Sequence, residues 1–284
     1  MTITILDGPT GTELARRGVP TPLPLWSGSA VDDAPEVLAA IHRDYAAAGA
    51  TVHTAATFRT DAWTLRGLGC EGDSERLTRR AVEIARSSVP EGHLVAGSIS
   101  PLEDCYQPAR SPGLATCREE HARSARTLVS SGVDLLLCET FAHPGEALAA
   151  LDSALEHNVP VWLSLTPGPK GDLLEDSVLL ETLMEAARRG AEAVLINCAP
   201  TATLTRLLPQ LAENEVPFGA YGNVGRPCPT EGWLNEGDAL PQPYAEAARA
   251  WLGYGATVLG GCCGTGPAHI VALDKLASRW ESTV

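Results

Sequence analysis

Three cysteines carry the clearest chemical signal in this chain. Cys262 and Cys263 stand side by side in Gly261-Cys262-Cys263-Gly264-Thr265, and Cys198 lies far upstream in Ile196-Asn197-Cys198-Ala199. A disulfide between adjacent residues closes a strained ring, so two neighbouring cysteines point to a shared metal ion instead. The three thiolates make a donor set suited to a tetrahedral, soft-ligand ion such as zinc, with the fourth position open. An open position on such an ion suits binding and deprotonating an incoming thiol. Taken singly, each cysteine also reads as a small buried hydrophobe.

Polar residues near the ends of apolar runs form a second group. Glu139 closes Leu135-Leu136-Leu137-Cys138, where an ionised carboxylate needs a partner to offset its desolvation. Asp7 precedes Gly8 and serves either a turn or a site. Thr57, Ser164 and Asn197 occupy similar positions, and Asn197 serves either the site or nearby backbone groups. Cys70, Cys105, Cys117, Cys138 and Cys228 lack mutual metal spacing and read as structural or incidental. His53 and His93, in or beside strands, read as hydrogen-bonded packing, and His269 as a cap or loop-orienting group at the last helix.

The elements that must position these residues alternate regularly. Short β-branched and aliphatic runs predict strands at 3–6, 51–55, 94–97, 134–138, 161–165, 193–197, 218–221 and 257–260. They lack the polar alternation of a half-exposed sheet, as expected for strands buried on both faces. Amphipathic helices are predicted at 35–48, 74–88, 117–131, 145–157, 177–189, 203–213, 244–253 and 267–280. Asp32-Asp33 is the expected N-cap of the first, and Gly132 and Gly190 sit where helices end. Eight repeats of this kind define an α/β fold closed as a single (β/α)8 TIM-type barrel spanning residues 1–284. An open doubly wound sheet would carry a glycine-rich fingerprint after its first strand, which Gly8-Pro9-Thr10-Gly11 does not match. Barrel chemistry sits at the C-terminal ends of strands, where the cysteines, Asp7 and Glu139 fall. The long connections 18–34, 98–116 and 223–243 are expected on that same face.

Composition narrows the function further. A net charge of −14 over 284 residues disfavours nucleic acid and anionic membrane surfaces as partners. No apolar run approaches the length of a membrane span, and the N-terminus lacks the basic and apolar regions of a signal peptide. Eight cysteines in a chain of this size read as reduced thiols, which places the protein in the cytoplasm. Partners are therefore expected to be small-molecule substrates, and the sequence carries no signal for an oligomeric state.

The chain resembles the homocysteine S-methyltransferase family, the zinc barrel group that includes betaine–homocysteine methyltransferase and the homocysteine module of cobalamin-dependent methionine synthase. The likeness rests on Asp7-Gly8-Pro9-Thr10-Gly11-Thr12-Glu13-Leu14, Ala48-Gly49-Ala50 leading to Thr57-Phe58, and Glu139-Thr140-Phe141. It continues through Asn197-Cys198, Tyr221-Gly222-Asn223 and Gly260-Gly261-Cys262-Cys263-Gly264-Thr265. The resemblance implies that Cys198, Cys262 and Cys263 bind Zn2+ and that Asp7 and Glu139 hold the amino group of homocysteine. It also implies transfer of a methyl group to homocysteine, giving methionine. The absence of further cofactor domains favours a sulfonium donor, S-methylmethionine before S-adenosylmethionine, over betaine or methylfolate. One departure stands out: Ala55-Ala56-Thr57-Phe58 replaces the family's Thr-Asn-Thr-Phe. It leaves open another thiol or selenol as acceptor. The remaining alternative is a non-catalytic zinc or amino-acid binding protein.

Overall fold

A computed structural model describes residues 2–213, 216–228, 232–234 and 240–282. Eight parallel strands form the barrel wall: β1 (Thr4–Ile5), β2 (Val52–Thr54), β3 (Leu94–Ile99), β4 (Leu135–Phe141), β5 (Val161–Leu165), β6 (Ala193–Pro200), β7 (Phe218–Asn223) and β10 (Val258–Gly261). They are ordered β1-β10-β7-β6-β5-β4-β3-β2. The parallel bridge Leu6–Val52 and the bond from Asp7 N to Val52 O (3.0 Å) close β1 onto β2. The predicted (β/α)8 barrel is the observed fold. A short antiparallel pair, β8 (Arg226–Cys228) and β9 (Gly232–Leu234), lies in the connection after β7.

The helical layer comprises α1 (Thr10–Arg16), α2 (Ala30–Asp33), α3 (Pro35–Ala47), α4 (Ala62–Arg66), α5 (Ser74–Ser88), α6 (Leu114–Ser130), α7 (Pro144–Leu155), α8 (Asp176–Arg189), α9 (Thr201–Leu207), α10 (Pro241–Gly253) and α11 (Pro267–Glu281). In α5, Leu77, Ala81, Val82 and Ala85 are buried while Arg79, Glu83 and Arg86 face outward, the stripe that fixes a helix on a barrel. Helix α8 stops at Gly190, whose φ of 113° only glycine adopts without strain.

Period 2 divides the sheet into two cores. Leu6, Val52, Ala96, Leu135, Leu137, Leu195, Tyr221 and Val258 fill the barrel, and the alternate residues pack against the helices. On β4 this puts Leu135, Leu137 and then Glu139 on the inner face, so the carboxylate is the polar lid of an apolar stack.

Several local expectations are corrected. Asp32-Asp33 does not cap α3: the pair closes α2, Ala34 is the N-cap, and Asp32 accepts from Arg76 at 3.0 and 2.9 Å. Pro35 at the first helical position starts α3 without a side-chain cap. The helix predicted over 203–213 ends early and continues as a 3-10 turn, Leu208–Leu211, because Pro209 has no N–H to continue the ladder. Helix α1 was not foreseen, since Gly8, Pro9 and Gly11 read as a turn, and it places the connection 18–34 after a helix rather than after a strand. The side chain of Cys228 and part of the connection 223–243 lie outside the described residues.

Candidate active site

The sulfur ligands meet at the C-terminal mouth of the barrel. Cys198 Sγ lies 2.7 Å from Cys262 Sγ and 4.0 Å from Cys263 Sγ, and the three sulfurs all fall within 4.8 Å of one another. Sulfurs around a tetrahedral zinc with bonds of about 2.3 Å are separated by about 3.8 Å, so the Cys198–Cys263 pair has that spacing, the Cys198–Cys262 pair must part by about 1 Å to admit an ion, and the donors are of the zinc-binding type. Hydrogen bonding among the thiols, then burial, splits their acidities. Cys198 and Cys262 are held well above the ordinary thiol range and Cys263 well below it. Three crowded sulfurs cannot all ionise without a cation to share.

Backbone irregularities aim these groups. The register of β6 on β7 shifts between Asn197 and Pro200, and that of β4 on β5 between Cys138 and Phe141. Within the two shifts Cys198 and Thr140 take positive φ, 53° and 65°, a conformation that non-glycine residues keep where surroundings enforce it. Such bulges redirect side chains at barrel rims. The Cys262-Cys263 turn is held from both sides. Cys262 N donates to Gly222 O (2.8 Å), Val224 N to Cys263 O (3.0 Å), and Arg16 Nη2 to Gly264 O and Thr265 O (3.1 and 3.2 Å). Gly261 is required there, because a Cβ would stand 2.2 Å from Thr265 Oγ1.

The two carboxylates face the same chamber. Asp7 accepts from Thr54 N (2.9 Å) and Thr54 Oγ1 (3.1 Å). Glu139 accepts from Ser98 Oγ (2.5 Å) and Tyr221 Oη (3.1 Å). Burial pushes Asp7 up to about 8 and Glu139 up to about 7, against the opposing hydrogen bonds. A desolvated acid with raised pKa ionises when a positive group arrives.

The chamber has a volume of about 840 Å3 and is open to Asp7, Glu139, Cys198, Cys262 and Cys263 together. Its outer wall is aromatic, with Trp26, Phe58, Trp63, Tyr106 and Trp233, and carries Glu103 and Asp104. All three predicted connections thus reach the site.

Thr57, Ser164 and Asn197 do not line the chamber; they lie behind it. Thr57 Oγ1 donates to Ser98 O (2.9 Å) and accepts from Ser98 N (3.0 Å). Asn197 accepts from Ser164 Oγ (2.8 Å) and Thr140 N (3.2 Å) and donates to Thr140 Oγ1 (2.8 Å), tying β4, β5 and β6 beneath the bulges. Cys105, read from sequence as structural or incidental, lines the chamber next to Tyr106, and burial raises its thiol to about 12. Sequence patterning missed Arg59, whose guanidinium is buried and donates to Pro101 O (2.7 Å) and Glu103 O (2.9 Å), pinning the connection that carries Cys105-Tyr106. It also missed Ser98, Thr54 and Tyr221, since hydrogen-bond partners across strands have no signature along one strand.

Fold and site together define a parallel barrel with three convergent thiols and two carboxylates in one chamber at its C-terminal mouth. The model of the homocysteine S-methyltransferase family matches residues 4–277, and the chain belongs to this family. It is a methyltransferase. The homocysteine S-methyltransferase of Escherichia coli (strain K12) is 31% identical, covering 95% of this chain and 94% of that protein. A selenocysteine methyltransferase from Astragalus bisulcatus is 28% identical, covering 98% and 93%. The crystal structure of the homocysteine methyltransferase MmuM from Escherichia coli in its metallated form superposes with a TM-score of 0.80, at 27% identity over 97% of this chain and 96% of that one. Among the described residues no helix is long and apolar enough to cross a membrane.

Proposed function

We propose that this protein transfers a methyl group from a sulfonium donor, S-methylmethionine before S-adenosylmethionine, to the sulfur of homocysteine, giving methionine. The observation that carries it is the opening of the thiol triad and both carboxylates into one chamber. Cys198, Cys262 and Cys263 would hold Zn2+, which supplies a Lewis acid that keeps the acceptor sulfur as thiolate near neutral pH. Asp7 and Glu139 take the substrate ammonium, becoming anionic as it seats, and so fix the direction of the acceptor chain. Thr54 holds Asp7, and Ser98 and Tyr221 hold Glu139, so neither carboxylate reorganises during transfer. The aromatic wall with Glu103 and Asp104 suits a positively charged donor through ring-face attraction and charge. A sulfonium leaves as a neutral thioether and needs no general acid. Thr57, Ser164 and Asn197 act by fixing the strand ends. A selenol acceptor is the second reading, favoured by Ala55 and Ala56 in the chamber wall and by the similarity to the Astragalus enzyme.

The test is mass spectrometry of reduced, zinc-loaded protein given carbon-13 homocysteine and S-methylmethionine deuterated on both sulfonium methyls. Methionine carrying both labels is expected. No doubly labelled methionine with metal bound, from this donor or from S-adenosylmethionine, overturns the assignment.

A further inference from the structure

Methyl transfer leaves one titratable cluster beside the site unused. Asp7 lies at the chamber wall just beyond β1, and His53, next to inward-facing Val52, turns to the helix side. Helix α3 brings His42 against both. One oxygen of Asp7 and one ring nitrogen each of His42 and His53 lie within 4.8 Å of one another, all three residues being buried. Among the described residues neither ring nitrogen of His42 has a hydrogen-bond partner, and a buried polar group without one calls for an explanation. His53 Nε2 lies 3.0 Å from Nδ1 of His93, with the two rings nearly parallel. His93 is half-buried and precedes Leu94 at the start of β3, at the foot of the barrel, opposite the chamber. Asp7, His42, His53 and His93 therefore run along the outer side of the wall from the substrate chamber to solvent.

We propose that His42, His53 and His93 form a proton path between Asp7 and solvent at the foot of the barrel, used when a substrate ammonium seats on Asp7. This rests on the assignment of Asp7 to the ammonium. The ammonium keeps its three protons, and the O–H bond of the Asp7 carboxylic acid breaks as an N–H bond forms on the neighbouring imidazole. His42 must turn its ring to carry that proton to His53, and His53 then passes one from Nε2 to His93 Nδ1; His93 delivers one to water, so one proton leaves for each protonated Asp7 that meets an amine. Each neutral imidazole offers one lone pair and one N–H, which is what a relay needs. Burial holds Asp7 up at about 8 and His42 and His53 down at about 4 and 3, so the line starts with the proton on Asp7. The arriving ammonium lowers Asp7 and narrows that gap. The same ammonium covers the chamber side of the carboxyl, leaving the histidine side. The other groups facing this line are Thr54 and Glu139 around Asp7, Tyr45 beside it on α3, the Ala50 backbone at His53, and Arg86, which donates to His93 O.

The test mixes metal-loaded protein with methionine in a stopped-flow instrument at pH 8, in weak buffer with a pH indicator. Methionine has the ammonium but no thiol proton, and at pH 8 Glu139 is largely ionised, so the proton counted comes mainly from Asp7. His53→Phe and His93→Ala should release the same proton about tenfold or more slowly, with His93→Ala restored by free imidazole. His93→Ala, at the half-buried end, carries the test if His53→Phe does not fold. Release at the wild-type rate in the folded variants overturns the proposal, as does methionine binding without proton release. Absence of methionine binding in wild type overturns the ammonium assignment itself and the path with it, an outcome calorimetry separates from the other two.

Discussion

Glu139→Gln should make the substrate-free protein more stable at alkaline pH while weakening its hold on the acceptor. Glu139 sits half-buried above Leu135 and Leu137, and desolvation raises its pKa from 4.5 to about 7. At about 1.4 kcal/mol per tenfold, that is about 3 kcal/mol by which the folded state resists ionisation relative to the unfolded chain. The sign follows from proton counting. Between pH 4.5 and 7 the folded state holds the proton and the unfolded state does not, so wild-type stability falls as pH rises through this window. Glutamine is isosteric, still accepts from Ser98 Oγ, still pairs with Tyr221 Oη, and has no proton to lose. Urea unfolding of metal-loaded wild type and variant should therefore agree near pH 4.5 and diverge by up to about 3 kcal/mol in favour of Glu139→Gln at pH 8. In the same variant, removing a buried partner of the ammonium should raise KM for homocysteine by about 30- to 1000-fold, or about 2–4 kcal/mol. Metal content should not change. Parallel stability profiles from pH 4.5 to 8 would refute the account of a strained, amine-directed carboxylate, and an unchanged KM would remove its role in binding.

Serine at Cys198, Cys262 or Cys263 should reduce bound zinc, read by elemental mass spectrometry, from near one per chain to a small fraction and abolish turnover, with far-ultraviolet circular dichroism unchanged; metal retained in all three variants would contradict the triad. Methionine affinity measured by calorimetry should rise with pH through the range 7 to 8, because Glu139 (about 7) and Asp7 (about 8) must lose protons to meet an ammonium, and a flat profile would mean both are ionised beforehand. Arg59→Met should raise KM for the donor more than for homocysteine, since it frees the Pro101 and Glu103 carbonyls and with them the aromatic wall at Tyr106. The two buried charge-assisted hydrogen bonds it removes put the stability loss at about 2–4 kcal/mol, readable by thermal unfolding.

The sequence exposes whatever repeats along one strand or helix. Runs such as Leu135-Leu136-Leu137 and the buried stripe of α5 mark their elements through period alone, and the adjacency of Cys262 and Cys263 carries its own chemistry. The barrel rule then places Asp7, Glu139 and Cys198 at one mouth without coordinates. Hidden from a linear reading are relations set by neighbouring strands. Asn197 looks like a site residue beside Cys198, yet its amide serves Ser164 and Thr140 across two strands. Cys105 has no metal-like spacing, yet the connection pinned by Arg59 folds it over the triad's chamber. Helix α1 was obscured because its glycines and proline carry turn signals, while its contacts with the Cys262-Cys263 turn come from Thr12 and from Arg16, itself paired with Glu13, all distant in sequence.

One barrel mouth holds two incompatible groups: a soft sulfur triad that would lower its own charge by sharing a cation, and a pair of hard carboxylates that would quench such a cation if they reached it. Strand order alone does not part them, since Asp7 follows β1 beside β10 and Glu139 lies on β4, two strands from Cys198 on β6. Hydrogen bonds turn the carboxylates to other neighbours, Asp7 to Thr54 on β2 and Glu139 to Ser98 on β3. Tyr221 on β7 stands between, its ring filling the inner core and its hydroxyl turned to Glu139. The bulges at Thr140 and Cys198 complete the separation, because a regular strand would send residue 198 to the face opposite Asn197, into the helix layer. The positive φ at these two non-glycine residues is thus the local cost of placing thiol and carboxylate chemistry in one chamber without letting them bind each other's partner.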